Sequence, residues 1–216
     1  MAVGRSSLRG GRVVQDGVTN ATVAFERAAE LAAAGQLTFV HPFDDPMVVA
    51  GASTATTELL EDEPGLTRLF VPCSGGGLLA GAILAARAAG RDVEIVGVQP
   101  VGADGIVRSL AAGEPTPPPV ISTVADGLTA PKPGVVNLAM IRDAGVRIVT
   151  VTDDEILAAM PVLIRTLRVV IEPSAAVGLA ALLREPASDD GRLTGLLLSG
   201  SNVAAPLLAE VLACRD

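Results

Sequence analysis

The chain has 216 residues, 50% of them apolar, enough nonpolar mass for one large domain or one and a half ordinary ones, and too much for a disordered segment. Sixteen basic side chains against 24 acidic ones give a net charge of −8, which excludes a basic footprint for nucleic acid or for an anionic membrane surface. With no Trp, no Tyr and four Phe, the chain also lacks aromatic platforms on which bases or sugars would stack.

One detail inside the 16 cations limits the chemistry: fifteen are Arg, and Lys132 is the only lysine. Any reaction that needs an amine must use that residue or do without. Two cysteines, Cys73 and Cys214, make no disulfide framework and point to a reducing, cytoplasmic compartment. The basic first ten residues carry no apolar run behind them and so predict no signal peptide. The uncharged stretch from Leu193 to Ala209 is broken by Ser199-Gly-Ser-Asn202 and Pro206, which predicts a strand, a loop and a helix instead of a membrane span.

In chain order, residues 1–20 are Gly- and Arg-rich and read as a frayed beginning or as the tail of something begun elsewhere. Phe25 to Ala34 predicts an Ala-rich helix stopped at Gly35. Leu37 to Val40 predicts a short strand running into the turn His41-Pro-Phe-Asp-Asp-Pro46, and Val48 to Leu60 a second helix. The clearest unit follows. Arg68 to Cys73 predicts a strand, Ser74-Gly-Gly-Gly77 a turn, Leu78 to Ala89 a helix stopped at Gly90, and Val93 to Val98 a second strand. That is a βαβ unit with parallel strands. Gly113 to Pro119 is a stiff Pro-rich connection. Arg147 to Val151 predicts a strand, and Thr152-Asp-Asp-Glu155 a capping box for a helix that Pro161 should bend or shorten. Glu172-Pro173-Ser174 opens a small-residue helix, and Leu193 to Leu198 is a last buried strand. Strands that are apolar throughout and alternate with helices predict an α/β fold, three layers deep, with a mainly parallel sheet covered on both faces. Ligands in such sheets sit beyond the carboxyl ends of the strands, where residues 74–77, 99–105 and 199–202 place turn chemistry.

The strongest local signal is Ser74-Gly75-Gly76-Gly77-Leu78 between a strand and a helix. Glycines let the backbone approach closely and present successive N–H groups, and the helix dipole adds positive potential, so the expected guest is an anion, a phosphate above all. Leu78 stands where a Walker A loop needs its lysine, which excludes a nucleoside triphosphate by that route. Gly75-x-Gly77-x-x-Ala80 satisfies the loose dinucleotide fingerprint, yet the second strand ends in Gln99-Pro100, without an acid to hold a ribose.

Five segments together carry a resemblance. His41-Pro-Phe-Asp-Asp-Pro46, Ser74 to Gly81, Val124-Ala-Asp-Gly-Leu128, Glu172-Pro-Ser-Ala175 and Leu198-Ser-Gly-Ser-Asn-Val203 resemble, in order and approximate spacing, the threonine/serine dehydratases and serine racemases. These are pyridoxal-phosphate enzymes of fold type II. The resemblance covers about residues 10–205 and matches the later part of such an enzyme. It implies the family's large, tryptophan synthase β-like domain, truncated at its amino-terminal side: residues 1–46 a remnant of the small domain and crossover, residues 47–216 the domain that binds the cofactor phosphate.

The resemblance further implies that pyridoxal 5′-phosphate is held at its phosphate by the backbone of Ser74, Gly75, Gly76, Gly77 and Leu78. Ser199 would face the pyridine nitrogen and Glu172 the ring edge, the bland reading of Glu172 being a helix-start acid. The family activity is loss of water and ammonia from threonine or serine, giving a 2-oxo acid. The family's Schiff-base lysine belongs to the part that is missing, and Lys132, in the proline-bound loop Ala130-Pro-Lys-Pro-Gly134, is expected to be solvated and not to substitute. No catalytic residue and no internal aldimine are therefore expected in this chain, which predicts inactivity alone. The expected partners are a small amino acid and either further copies of the chain or a complementing lysine-bearing chain, with no nucleic acid and no membrane. The alternatives are a non-catalytic relative that binds the cofactor or another phosphate and, less favoured, a nucleotide-binding α/β domain. Some relatives hold a divalent cation with an acid at the end of the strand after the glycine loop. Gln99 stands there with Asp104 nearby, and no metal site is predicted. His41 and the pair Asp44-Asp45 are expected to be turn residues, Asn202 to cap the next helix, and Cys73 to be a buried hydrophobe.

Overall fold

Four apolar segments pair side by side to make the sheet on which everything else is hung. In the computed structural model, which describes residues 13–14, 21–35, 37–186 and 191–213, these are β1 (Leu66–Pro72), β2 (Glu94–Pro100), β3 (Arg147–Val151) and β4 (Leu193–Leu196). All neighbours are parallel and the order is β3-β2-β1-β4. The chain divides into two units, Met1–Val40 and His41–Asp216, and the sheet belongs to the second.

The first unit contributes α1 (Ala21–Gly35), which starts four residues before the predicted helix and ends at the expected glycine. The predicted strand 37–40 is not formed. Leu37 donates its N–H back to Ala32 O (2.9 Å), closing the end of α1, and no described strand pairs with the segment. Four apolar residues without a neighbouring strand leave their peptide groups unpaired, so apolarity alone does not make them a strand. Of the first twenty residues only Val13 and Val14 are described, and Cys214 also lies outside the described residues.

In the second unit α2 (Pro46–Asp62) and α3 (Gly77–Ala88) cover one face of the sheet, joined by α4 (Gly105–Ala112) and α5 (Val135–Ala144). Leu69, Val71, Cys73 and Ile95 point into that face, against Leu79, Ile83, Ile106 and Ile141. Phe70, Val96 and Val98 point the other way, into α6 (Asp153–Leu167), α7 (Pro173–Leu183) and Val211 of α8 (Ala205–Ala213). This alternation along β1 and β2 is what a sheet buried on both faces requires, and it gives the three αβα layers expected from the sequence. At the amino edge of the sheet Arg68, Glu185, Arg147, Glu94 and Arg192 form a chain of ion pairs: Arg68–Glu185 2.6 Å, Arg147–Glu185 2.8 Å, Arg147–Glu94 3.4 Å and Arg192–Glu94 2.8 Å.

Two helices went unforeseen, α4 and α5; both lie in the stretch between the second and third strands and both end at a left-handed glycine, Gly113 (φ 80°) and Gly145 (φ 63°). Pro161 does not shorten α6, which runs on to Leu167. The capping box at Thr152 and Glu155 starts that helix as expected, and burial of Met160, Pro161 and Leu163 against the core holds it across the proline. No helix among the described residues is long and apolar enough to cross a membrane.

Candidate functional site

The order β3-β2-β1-β4 reverses direction at β1: the chain steps outward through β2 and β3, then returns to the far side of β1 with β4. Loops leaving the carboxyl ends of β1 and β4 therefore diverge to opposite faces, and the crevice between them is where parallel sheets bind ligands. β1 runs into Ser74–Gly77, and β4, whose pairing with β1 continues to Leu197 N–H on Phe70 O (3.0 Å), runs into Ser199–Asn202.

Gly76 is the N-cap of α3, with φ 95° and ψ −9°, a left-handed conformation that favours glycine. No side chain caps this helix and its first turn holds no acid. Gly75, Gly76 and Gly77 are buried, and no described residue accepts from the N–H groups of Ser74, Gly75, Gly76, Gly77 or Leu78. Buried N–H groups are nearly always paired, so three on buried glycines and two on half-buried neighbours, in succession at a helix start, have the chemistry to accept an anion. The opposite side of the turn is packed. A Cβ on Gly75 would lie 2.5 Å from the Phe43 ring, one on Gly77 2.9 Å from Phe43 O, and one on Gly76 2.9 Å from Asn137 Cβ. These glycines are thus fixed by the packing behind them.

The His41–Pro46 turn and Asn137 of α5 make that backing. His41 Nδ1 accepts from Asp44 N–H (2.8 Å) and Phe43 N–H (3.3 Å), tightening the turn. Asp44 reaches 91 residues along the chain to accept from Val135 N–H (2.8 Å) and Val136 N–H (3.0 Å), capping α5 from outside, while Asp45 caps α2 through Met47 N–H (2.7 Å). Asn137, fully buried, donates Nδ2 to Phe43 O (2.7 Å) and Gly75 O (3.0 Å). His41, Asp44 and Asp45 are the turn residues the sequence suggests. Asn137 had no recognisable signal, because both of its acceptors are main-chain oxygens far away in sequence.

Glu172 occupies the N-cap position of α7, yet its carboxylate makes no cap there. Instead Oε2 accepts from Asn202 N–H (2.8 Å), and Glu172 N–H donates to Gly200 O (3.2 Å). A Cβ on Gly200 would overlap Glu172 Oε1, so glycine is required for this close approach. Glu172 therefore shapes the loop that carries Ser199. Ser199 is exposed and its hydroxyl has no partner among the described residues. Asn202 caps no helix, since α8 begins three residues later at Ala205. Segment 124–130 ties the two loops together: Gly127 N–H donates to Ser174 Oγ (2.9 Å) beside Glu172, and Ala130 N–H to Ser74 Oγ (3.0 Å).

The third strand end is closed. Gln99 is buried, donates Nε2 to Ala103 O (3.2 Å), and accepts at Oε1 from Ile106 N–H (3.1 Å) and Val107 N–H (3.2 Å), so it caps α4. Asp104 pairs with Arg108 at 2.6 Å. No group of three or more potential metal ligands occurs among the described residues. Lys132 is exposed. Cys73 is buried, and burial pushes its thiol up to about 12, which suits a packing role. A groove of about 450 Å³ between β3 and the end of α7 is lined by Arg147, Thr150, Arg184 and Glu185, at the opposite edge from the glycine turn, and its charged groups are already paired.

Comparison with known proteins matches this geometry. Residues 8–200 fit the sequence profile described as "Pyridoxal-phosphate dependent enzyme". The chain is 39% identical over 173 residues to an L-threonine ammonia-lyase of Geobacter sulfurreducens, covering 80% of this chain and 43% of that protein. It is 38% identical over 169 residues to a serine racemase of Arabidopsis thaliana, covering 76% and 51%. The crystal structure of maize serine racemase superposes with a TM-score of 0.84 at 31% identity, covering 96% of this chain and 64% of that one. The chain thus spans about half the length of the curated relatives it matches.

Proposed function

The chain belongs to the pyridoxal-phosphate dependent enzyme family, and on that premise we propose that it is the phosphate-binding part of an ammonia-lyase acting on threonine or serine. The observation that carries this reading is the run of five N–H groups from Ser74 to Leu78 at the start of α3, three of them on buried glycines, for which no described residue supplies an acceptor. Such a surface suits the phosphate of pyridoxal 5′-phosphate, whose charge at neutral pH is close to −2. When bound, the cofactor supplies an electron sink for a carbanion on the substrate.

The chain's own residues bind and orient. Ser74 to Leu78 hold the phosphate, and the side chains behind them, Phe43 and Asn137, keep the turn from collapsing. Ser199 offers a neutral hydroxyl to the pyridine nitrogen, at the end of the strand next to β1. Glu172 fixes the Ser199 loop through Asn202 N–H, and its carboxylate would stand at the ring edge of the bound cofactor. On this reading residues 1–46 belong with a small domain and crossover, and 47–216 form the phosphate-binding domain. Lys132 is the sole lysine and is exposed, so on this reading removal of the substrate's α-proton falls to a lysine outside these 216 residues, which alone do not turn over.

Absorbance titration tests this directly, because a protein without Trp or Tyr leaves the near-ultraviolet clear. Saturable binding of pyridoxal phosphate, competed by inorganic phosphate, with no 2-oxo acid formed from threonine or serine, is the expected result. Failure to bind, or turnover by the purified chain, overturns the reading.

A further inference from the structure

The sole lysine lies in the one loop that is fastened to the glycine turn at both of its ends. Ala130 N–H donates to Ser74 Oγ (3.0 Å), and Gly134 N–H donates to Gly75 O (3.0 Å). Two successive residues of the phosphate cradle thus hold the two ends of a five-residue span, and Lys132 is its midpoint. Consecutive Cα atoms are 3.8 Å apart, so the Lys132 Cα is at most about 7.6 Å from the Cα of Ala130 and from that of Gly134, the two residues tied to the cradle.

The span is stiff. Pro131 and Pro133 flank the lysine and fix φ on either side of it, and Pro133 is buried. Gly134 lies against the Asp44 carboxylate, which is engaged by the N–H groups of Val135 and Val136. Lys132 is exposed and has no hydrogen-bond or ion-pair partner among the described residues. A lysine on a span tied at both ends to the residues that carry these N–H groups, with no carboxylate paired to it among the described residues, has the charge to meet an anion there.

Charge balance favours the same assignment. A helix start contributes the equivalent of about half a positive charge, against a phosphate monoester near −2. The chain as a whole carries −8, so no general positive field supplies the remainder. We propose that the Lys132 ammonium is the counter-cation of the phosphate held by Ser74–Leu78, acting through an ion pair and not through a covalent bond. This rests on the phosphate-binding reading given above.

The test compares wild-type protein, Lys132→Ala and Lys132→Arg for equilibrium binding of three probes: pyridoxal phosphate, inorganic phosphate and pyridoxal. Lys132→Ala is expected to weaken both phosphate-bearing probes about tenfold and to leave pyridoxal unchanged, while Lys132→Arg stays within about threefold of wild type. Raising the salt to about 0.3 M should weaken wild-type binding more than Lys132→Ala binding. Thermal melting without ligand should be the same for all three proteins, since an exposed, unpaired side chain contributes little to the fold. If wild type binds and Lys132→Ala binds equally well, this inference fails and the cradle reading stands. If wild type binds neither phosphate probe, both fail. A borohydride-stable adduct mapped by mass to Lys132 overturns the ion-pair role in favour of a covalent one.

Discussion

Asn137 is the side chain on which the candidate site most depends, and its contribution can be worked out from its contacts. Its Nδ2 gives two hydrogen bonds to main-chain oxygens, Phe43 O and Gly75 O, while its Oδ1 is buried without a partner. The amide orientation is set by chemistry, because the reverse assignment would point an oxygen at two carbonyls. Truncation to Ala removes two hydrogen bonds worth about 1 kcal/mol each. It also leaves a small cavity costing about 1 kcal/mol, and it removes the unpaired Oδ1, which returns about 1 kcal/mol. Asn137→Ala should therefore destabilise by about 2 kcal/mol, or roughly 4–8 °C in Tm for a chain of this size. Asn137→Asp keeps the shape and removes the donors, so at neutral pH a carboxylate faces two carbonyl oxygens, and the loss should exceed that of Ala. Burial raises the folded pKa of such an aspartate above its unfolded value of about 3.9. Its destabilisation should then shrink as the pH falls through that raised pKa, where the protonated acid can donate one bond. Urea melts followed by circular dichroism at neutral and acidic pH measure both. Equal effects of Ala and Asp, or a loss below about 0.5 kcal/mol for either, would refute the assignment of Asn137 as the donor that ties turn to cradle.

Other outcomes follow from particular contacts. A Cβ on Gly102 would overlap Ser122 O, a main-chain atom that cannot swing away, so Gly102→Ala should lower stability by roughly 3 kcal/mol or more. Gly51, helical and with nothing within 4 Å of its would-be Cβ, should instead gain roughly 0.5–1 kcal/mol on the same substitution, and parallel melts of the two variants check the contrast. In a Cys214→Ser background, Cys73 should resist thiol reagents at pH 8 until the protein is denatured, because burial pushes its thiol up to about 12. The hydrogen bond from Arg147, with the nearby charges of Arg68 and Arg147, holds the Glu185 carboxyl below its ordinary value, against the opposing effect of burial. A depressed folded pKa stabilises above the unfolded value of about 4.3 and loses that contribution as the pH falls through the folded pKa. Wild type should therefore lose stability over that acidic interval relative to Glu185→Gln, in melts run at stepped pH.

What could be read from the sequence is what local chemistry settles. β1, the glycine turn, α3 and β2 form a contiguous unit in which apolar strands, a left-handed glycine and a small-residue helix all agree, and it appears within two residues of its expected limits at each end. The capping box before α6 works the same way, since donor and acceptor are three residues apart. What could not be read is held by partners distant in the chain. α5 owes its start to Asp44, 91 residues earlier, and α4 owes its start to Gln99, whose side chain a sequence reading would sooner ask about metals. Glu172 shows the same limit inside the site. Its place at the head of α7 suggests a cap, and only the fold reveals that its carboxylate goes to Asn202, 30 residues on. Leu37 to Val40 shows the converse, a locally convincing strand with no neighbour to pair with.

The division has a functional consequence. The N–H groups of the cradle are local and legible, but what holds the turn in shape, Phe43, Asp44 and Asn137, comes from the crossover turn and from α5. Their contacts behind the glycines leave the N–H side of the turn free. A relative that kept Ser74 to Leu78 but lost the donor at position 137 would retain the motif by sequence and lose the geometry that makes it bind. On the proposed reading the glycine run supplies the donors for the phosphate, and the contacts of Phe43 and Asn137 hold those donors in place.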